Sequence, residues 1–168
     1  MVNKIKRWFL HTFTPPWRQR VLFPKATLKA IETAIQQSEA THSGELRFAI
    51  ENALASRQVW QGVSSYQRAL ELFAKLHVWD TEENSGVLIY LLLAERTVHI
   101  IADRGINKRV TQAEWDSIVR AMQSEFRSGN FQRGSLLGIE QITALLASHF
   151  PATANNPNEL PDAPIIID

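Results

Sequence analysis

The chain contains no cysteine among its 168 residues. Disulfide bonds, thiolate metal sites and a catalytic thiol are therefore excluded. No segment reaches the roughly 20 apolar residues that a membrane-spanning helix needs. The basic stretch from Lys4 to Phe13 lacks a clean apolar core and a small-residue cleavage site, so a secretory signal is not expected. The default expectation is a cytoplasmic location.

Several enzyme motifs are missing as well. The sequence has no G-x-S-x-G elbow, no H-E-x-x-H pair and no Walker-type phosphate loop. His42 stands beside Ser43, but adjacent loop side chains rarely meet with the geometry that a nucleophile and its base require. His99 lies between apolar residues of a predicted strand, which favours a packing role over a catalytic one.

Acidic residues are absent from positions 1–29, where seven of the 18 basic residues lie. The remaining 11 basic residues face 17 acidic ones, so the rest of the chain is acidic. Aromatic residues interleave with the basic ones, which suits packing on the acidic body of the protein, an anionic membrane surface or a partner. Packing is favoured over a membrane, and nucleic acid is the least favoured partner. Residues 1–25 are predicted to form a basic aromatic arm that Pro15-Pro16 interrupts.

What the sequence does contain is an apolar run from Val87 to Leu93, preceded by a polar loop and followed by Ala94-Glu95-Arg96 and a second strand that ends at Asp103. A strand that is apolar on both faces must be covered on both sides, so it belongs in the middle of a sheet between helices. The two strands are predicted to form a hairpin.

Helical and strand patterns alternate along the rest of the chain. Helices are predicted at about 26–40, after a capping box at Ser64, after a second one at Thr111, and from about Phe131 to His149. Leu46, Phe48 and Ile50 alternate with more polar residues and mark another strand. The fold class is therefore α/β, a three-layer α/β/α sandwich with a small mixed sheet over residues 26–150. Residues 151–168, with four prolines and three acids, read as a flexible tail.

Two places carry candidate chemistry. Asp103 ends a strand and Gly105 lets the backbone turn, and ligands of open α/β sheets bind beyond strand ends. A surface ion pair of Asp103 with Arg104 is the alternative. Acids also cluster before the central strand, up to Glu83 and Asn84, but they lack the pattern of an EF-hand. A solvated acidic turn is favoured there over a calcium site.

Three segments together resemble the TPM domain, a family often labelled a phosphatase. They are His42 to Ile50, Asn84 to Ile89 and Asp103 to Ile106, and the run from Phe126 to Ile139 is similar to the family's C-terminal helix pair. The resemblance covers about residues 26–150 and implies an α/β/α sandwich, in agreement with the pattern of elements. Many members have an acid where this chain has Asn84, and another where it has Gln112. Those acids are the expected metal or catalytic groups of the family.

The candidate ligand-binding residues that follow from the strand ends and the resemblance are Glu45, Glu83, Asn84, Asp103, Arg104, Gly105, Gln112 and Glu114. The leading hypothesis is a TPM-domain protein that binds a partner protein or small ligand at this polar rim, near or on the inner membrane through its arm. The rival hypothesis is a phosphatase acting on phosphomonoesters with a divalent cation, Ca²⁺ or Mg²⁺, held by Glu83, Asp103 and Glu114. Amides bind hard cations less strongly than carboxylates, so the affinity for Ca²⁺ is expected to be weak.

Overall fold

Four strands form one mixed sheet in the order β3-β2-β1-β4. The computed structural model describes residues 2–153 and 156–167. Residue 1 of the predicted arm and residues 154, 155 and 168 of the predicted tail lie outside the described residues. Within the described ranges the elements, in chain order, are α1 (Val2–Thr12), α2 (Trp17–Leu22), α3 (Lys25–Glu39), β1 (Glu45–Glu51), α4 (Ser56–Trp60), α5 (Ser65–Lys75), β2 (Gly86–Leu92), β3 (Thr97–Ala102), α6 (Arg104–Asn107), α7 (Gln112–Arg127), α8 (Phe131–His149) and β4 (Ile165–Ile167).

The central strand β2 is covered on both faces, as its apolar run predicts. Val87, Ile89 and Leu91 pack into a core with helices α3, α7 and α8. Leu88 and Tyr90 point to the other face, into a second core with α4 and α5. The protein is therefore a three-layer α/β/α sandwich with a mixed sheet.

Strand directions decide which loops meet. β1 runs parallel to β2 with Glu45 opposite Gly86, whereas β2 and β3 form the predicted antiparallel hairpin with Val87 opposite Ala102. The beginnings of β1 and β2 and the end of β3 consequently lie at one edge of the sheet. The turn between β2 and β3 lies at the opposite edge.

The less apolar face of β1 is buried as well. Arg47 and Glu51 are almost inaccessible to solvent. Arg47 donates to the carbonyl of Pro161, and Glu51 pairs with Arg68 of α5. Burial of such groups requires partners, and both partners lie far along the chain, where a strand pattern gives no sign of them.

The predicted N-terminal arm folds into α1, α2 and the first residue of α3, with the interruption at Pro15-Pro16 as expected. His11 is buried and its Nδ1 accepts from the Leu54 amide. Gln19 donates to the carbonyl of Ile50, and Phe23 belongs to the core around α3, α7 and α8. The boundary at residue 25 therefore falls inside packed structure.

The predicted flexible tail also differs from the structure. Ile165–Ile167 form β4, which extends the sheet in parallel with β1. Leu160 is buried in the core of the α4 and α5 face. A three-residue strand after several prolines is too short to show an alternating pattern, which is why composition indicated a tail.

Candidate functional site

The polar rim, defined here as the segments Ser43–Glu45, Glu83–Ser85 and Asp103–Gly105, lies at the amino ends of β1 and β2. It includes the end of β3 only because β3 runs in the opposite direction. Ligand crevices of open α/β sheets usually lie beyond the carboxyl ends of parallel strands. The polar rim therefore lies at the amino ends of the parallel strands, opposite the edge at which such sheets usually bind ligands.

The loop before β2 is fixed by local hydrogen bonds. The Ser85 amide donates to Thr81 Oγ1 at 2.9 Å, and Ser85 Oγ donates to the carbonyl of Ser43 at 3.0 Å. Ser43 Oγ donates to Glu83 Oε2 at 2.8 Å. Asn84 has a left-handed backbone with φ of 53°, which asparagine tolerates better than most residues. These contacts hold Glu83 and Asn84 beside the start of β1.

The segment after β3 completes the rim. Asp103 Oδ1 accepts from the Arg104 amide at 2.6 Å and caps the short helix α6. Arg104 Nε donates to Asn84 Oδ1 at 2.9 Å. The amide of Gly105 donates to the carbonyl of Asn84 at 3.1 Å. The loop before β2 and the segment after β3 are thus joined by a side-chain and a backbone hydrogen bond.

Gly105 is required for close approach rather than for a turn. Its φ is not positive, and a Cβ atom there would lie 2.5 Å from the Asn84 carbonyl oxygen and 2.7 Å from that of Glu83. The sequence predicts a backbone turn at this glycine. The structure shows instead that it lets α6 touch the loop before β2.

One polar atom at the rim has no partner. Asp103 Oδ2 is buried and accepts no hydrogen bond within residues 2–153 and 156–167. A buried carboxylate oxygen without a donor is costly.

The structure brings together five of the eight sequence candidates: Glu83, Asn84, Asp103, Arg104 and Gly105. Gln112 and Glu114 stay within the first turn of α7. Gln112 donates to Asp116, and Glu114 Oε2 accepts from both the amide and the hydroxyl of Thr111 at 2.8 Å. Those hydrogen bonds from Thr111 lower the pKa of Glu114. Glu114 acts as half of a capping box.

Glu45 also turns away from the group. Its Oε2 accepts from the Leu160 amide at 3.1 Å, and it lines a cleft of 430 Å³ with Glu39 and Asp162. Burial raises the pKa of Glu45 and raises that of Glu39 to about 9. Glu39 ends α3 and shows no sequence signal for such a site, because its burial depends on residues near position 160.

A divalent cation does not fit the three predicted carboxylate ligands. Among the side chains that the structure describes, no group of three or more His, Asp or Glu residues could hold a metal ion. Glu83 accepts a hydrogen bond from Ser43, and Glu114 caps α7. The side-chain oxygen of Asn84 already accepts a hydrogen bond from the guanidinium of Arg104. No step of a reaction is therefore assigned to a metal here.

A family model described as the TPM domain matches residues 18–145. The chain belongs to the TPM domain family. The match includes strands β1 to β3 and all three segments of the rim, and it ends before β4. It begins within α2, so residues 18–25 of the predicted arm fall inside the matched range.

A solved structure of similar fold supports the α/β/α architecture. The chain is similar to the BA42 protein of the psychrophilic bacterium Bizionia argentinensis, determined by NMR, with 33% sequence identity and a TM-score of 0.75. The likeness covers 84% of this chain and 92% of the BA42 chain. A comparison with curated proteins found no match. Within the described residues, no helix of this TPM-domain protein is both long and apolar enough to cross a membrane.

Proposed function

We propose that this TPM-domain protein binds a ligand or partner through the polar rim, and that the bound group is an amide such as the main chain of a partner protein. The observation that carries the proposal is the buried Asp103 Oδ2, which has no donor among the described residues. A ligand N–H would satisfy that oxygen once the half-buried Asp103 side chain rotates it towards the surface. The free terminal nitrogens of Arg104 would donate to the ligand carbonyl.

The rim is suited to binding because Arg104 and Gly105 are held in place before a ligand arrives. Arg104 is held by Asn84, and the backbone of Gly105 is held against the same residue. Preorganised donors and acceptors reduce the entropy lost on binding. A peptide group offers one donor and one acceptor a few ångströms apart, which matches the pairing of Asp103 with Arg104.

The test is an NMR titration of ¹⁵N-labelled protein with N-acetylglycine N-methylamide as the peptide-group probe. Amide signals of Asn84, Arg104 and Gly105 should shift together and saturate. Asp103→Asn keeps the helix cap but places an amide where the acceptor stands, so it should abolish the shifts, whereas the nearby exposed Asp80→Asn should not. Unchanged shifts in Asp103→Asn would remove Asp103 from the site.

Metal-dependent phosphatase activity is the competing proposal. The contacts of Glu114 and Glu83 favour binding over catalysis, because both carboxylates are committed to local hydrogen bonds. Turnover of p-nitrophenyl phosphate with Mg²⁺, Mn²⁺ or Ca²⁺ separates the two functions. Turnover that disappears both on chelation and in Asp103→Asn would favour the phosphatase.

Attachment to an anionic membrane is a second candidate function, and a specific observation favours it. α1 and the turn after it expose Phe9 and Phe13, whose rings stack 5.7 Å apart, and α2 exposes Trp17. Phe13 is 71% and Trp17 63% accessible, in a segment without any acidic residue. Exposed aromatic groups beside basic residues suit the interface of an anionic bilayer.

Vesicle sedimentation tests the membrane proposal. The protein should sediment with phosphatidylglycerol–phosphatidylcholine vesicles more than with phosphatidylcholine alone, and the double variant Phe13→Ser with Trp17→Ser should lose this binding. Trp79→Ser is the matched control, because Trp79 is an exposed tryptophan in the loop after α5. Equal losses of vesicle binding in the control and the double variant would indicate non-specific hydrophobic adsorption instead.

A further inference from the structure

A cleft of 420 Å³ lies at the edge of the sheet opposite the polar rim. α2, the β2–β3 turn and the junction of α7 with α8 form its walls. Its lining includes the apolar residues Leu91, Phe126 and Phe131 together with three arginines, Arg18, Arg96 and Arg127. The cleft is named the arginine cleft below. Neither the strand pattern nor the family resemblance indicated it.

The floor of the arginine cleft is apolar and ordered. Leu91 is 2% accessible and comes from the doubly covered strand β2. Phe126 and Phe131 stack with ring centroids 5.3 Å apart and an angle of 14° between the planes. Both phenylalanines also pack against the core around α7 and α8. An apolar ligand group placed on this floor would be removed from solvent, and the sandwich would not have to rearrange.

The charge at the cleft mouth is of one sign. No acidic residue is among those that line it. Within residues 2–153 and 156–167, the guanidinium groups of Arg18, Arg96 and Arg127 form no hydrogen bond and no ion pair. Arg7 and Arg68 of the same protein, by contrast, are paired with Glu95 and Glu51. Three unpaired arginines around one cleft attract an anion, and the planar guanidinium suits carboxylate and phosphate oxygens.

Three separate elements deliver these arginines. Arg18 lies in α2, Arg96 ends the β2–β3 turn, and Arg127 ends α7. Arg96 has a left-handed backbone with φ of 55°, a conformation that favours glycine. Because glycine would adopt this conformation without strain, an arginine at this position indicates a role for its side chain. The cleft also lies at the carboxyl end of β2, the edge at which open α/β sheets usually bind ligands.

We propose that the arginine cleft binds a small amphipathic anion. The carboxylate or phosphate group of the ligand is held by Arg18, Arg96 and Arg127, and its apolar body rests on Leu91, Phe126 and Phe131. The volume of 420 Å³ is within the range of about 300–1,000 Å³ that small-molecule sites occupy. This site shares no residue with the polar rim, so the two proposals stand or fall separately.

Isothermal titration calorimetry with octyl phosphate, below its micelle-forming concentration, tests the proposal. The probe should bind saturably at one site. Inorganic phosphate should bind at least about tenfold more weakly, because it lacks the apolar body. Octyltrimethylammonium, which has the same chain and the opposite charge, should not bind. Equal binding of the cationic probe, or no saturable binding of octyl phosphate, would overturn the proposal.

Variants locate the binding. Arg18→Ala, Arg96→Gly and Arg127→Ala should each weaken octyl phosphate by about tenfold, since a hydrogen bond to a charged group contributes about this factor to affinity. Arg96→Gly also removes the unfavourable backbone, so its melting temperature should equal or exceed that of the original protein. Arg20→Ala is the matched control, because Arg20 is exposed on α2 and does not line the cleft. Unchanged affinity in all three variants would exclude the cleft.

The ligand could come from a lipid headgroup or from a free amphipathic metabolite, and vesicles separate the two sources. Phosphatidylglycerol–phosphatidylcholine vesicles that bind the original protein but not the triple arginine variant would identify a lipid headgroup. Vesicle binding that is independent of the three arginines, together with lost octyl phosphate binding in the variant, would identify a free small molecule. Either result supports an anion site in the arginine cleft.

Discussion

Replacing Arg68 by methionine should destabilise the protein by about 3–5 kcal/mol, because it leaves the Glu51 carboxylate buried without its counter-ion. The Arg68 guanidinium contacts Glu51 through two nitrogens, with Nε to Oε2 and Nη2 to Oε1 both at 2.9 Å. The hydroxyl of Tyr90 donates to Glu51 Oε2 at 2.6 Å. The side chains of Arg68 and Glu51 are only 10% and 3% accessible.

The size of this effect depends on burial more than on attraction. An exposed ion pair contributes about 0–1 kcal/mol, but here water cannot reach the carboxylate once the guanidinium is removed. Tyr90→Phe should cost less, about 1.5–3 kcal/mol, since it removes one hydrogen bond to a charged acceptor and leaves Arg68 in place. A triple variant with Glu51→Leu, Arg68→Met and Tyr90→Phe leaves no buried charge at this place. That triple variant should recover most of the stability lost in Arg68→Met.

Urea unfolding followed by tryptophan fluorescence and far-UV circular dichroism measures these free energies. Arg120→Met is the control, because Arg120 is exposed on α7 and should stay within about ±0.5 kcal/mol of the original protein. The reasoning fails if Arg68→Met costs less than about 1 kcal/mol, the value of an exposed pair. It also fails if the triple variant is no more stable than Arg68→Met alone.

Three further outcomes are expected. Leu91→Ala should cost about 2–5 kcal/mol in the same urea assay through lost burial and an unfilled cavity; a loss below 1 kcal/mol would mean that β2 is not tightly covered. Gly105→Ala should lower the melting temperature because its Cβ would clash with the Asn84 and Glu83 carbonyls; an unchanged melting temperature would contradict the close approach. Burial raises the pKa of Glu39 from 4.5 to about 9, so the folded state holds this proton more tightly than the unfolded state and stability falls as pH rises through that interval. Glu39→Gln should therefore gain on the original protein between pH 5 and pH 9, and parallel pH profiles would refute the assignment.

The elements of the fold could be predicted because their signals are local. The run from Val87 to Leu93 has no polar face, and only a strand covered on both sides buries it fully. The capping boxes at Ser64 and Thr111 needed only residues three positions apart, and both form as predicted. The hairpin followed from two strand patterns joined by a short polar turn.

The candidate site could be predicted only in part. Asp103, Arg104 and Gly105 were found because they directly follow a strand, and Asn84 because it directly precedes one. Glu114 was also named as a candidate, and the structure places its carboxylate in the capping box that the sequence predicted as well. The same carboxylate cannot both cap α7 and bind a ligand at the rim. The local pattern predicts the cap, but only the position of α7 in the structure shows that the carboxylate stays there.

The sequence by itself determined α3, α5, α7 and α8, the strands β1 to β3 and which strand is covered on both faces, because periodicity and capping act over a few residues. Only the tertiary structure decided that β1 runs parallel to β2, which brings Ser43 beside Glu83. It also paired Glu51 with Arg68 and gathered Arg18, Arg96 and Arg127 around one cleft. These groups are separated by 17 to 109 positions in the chain, and no local pattern records contacts that form only when the layers pack.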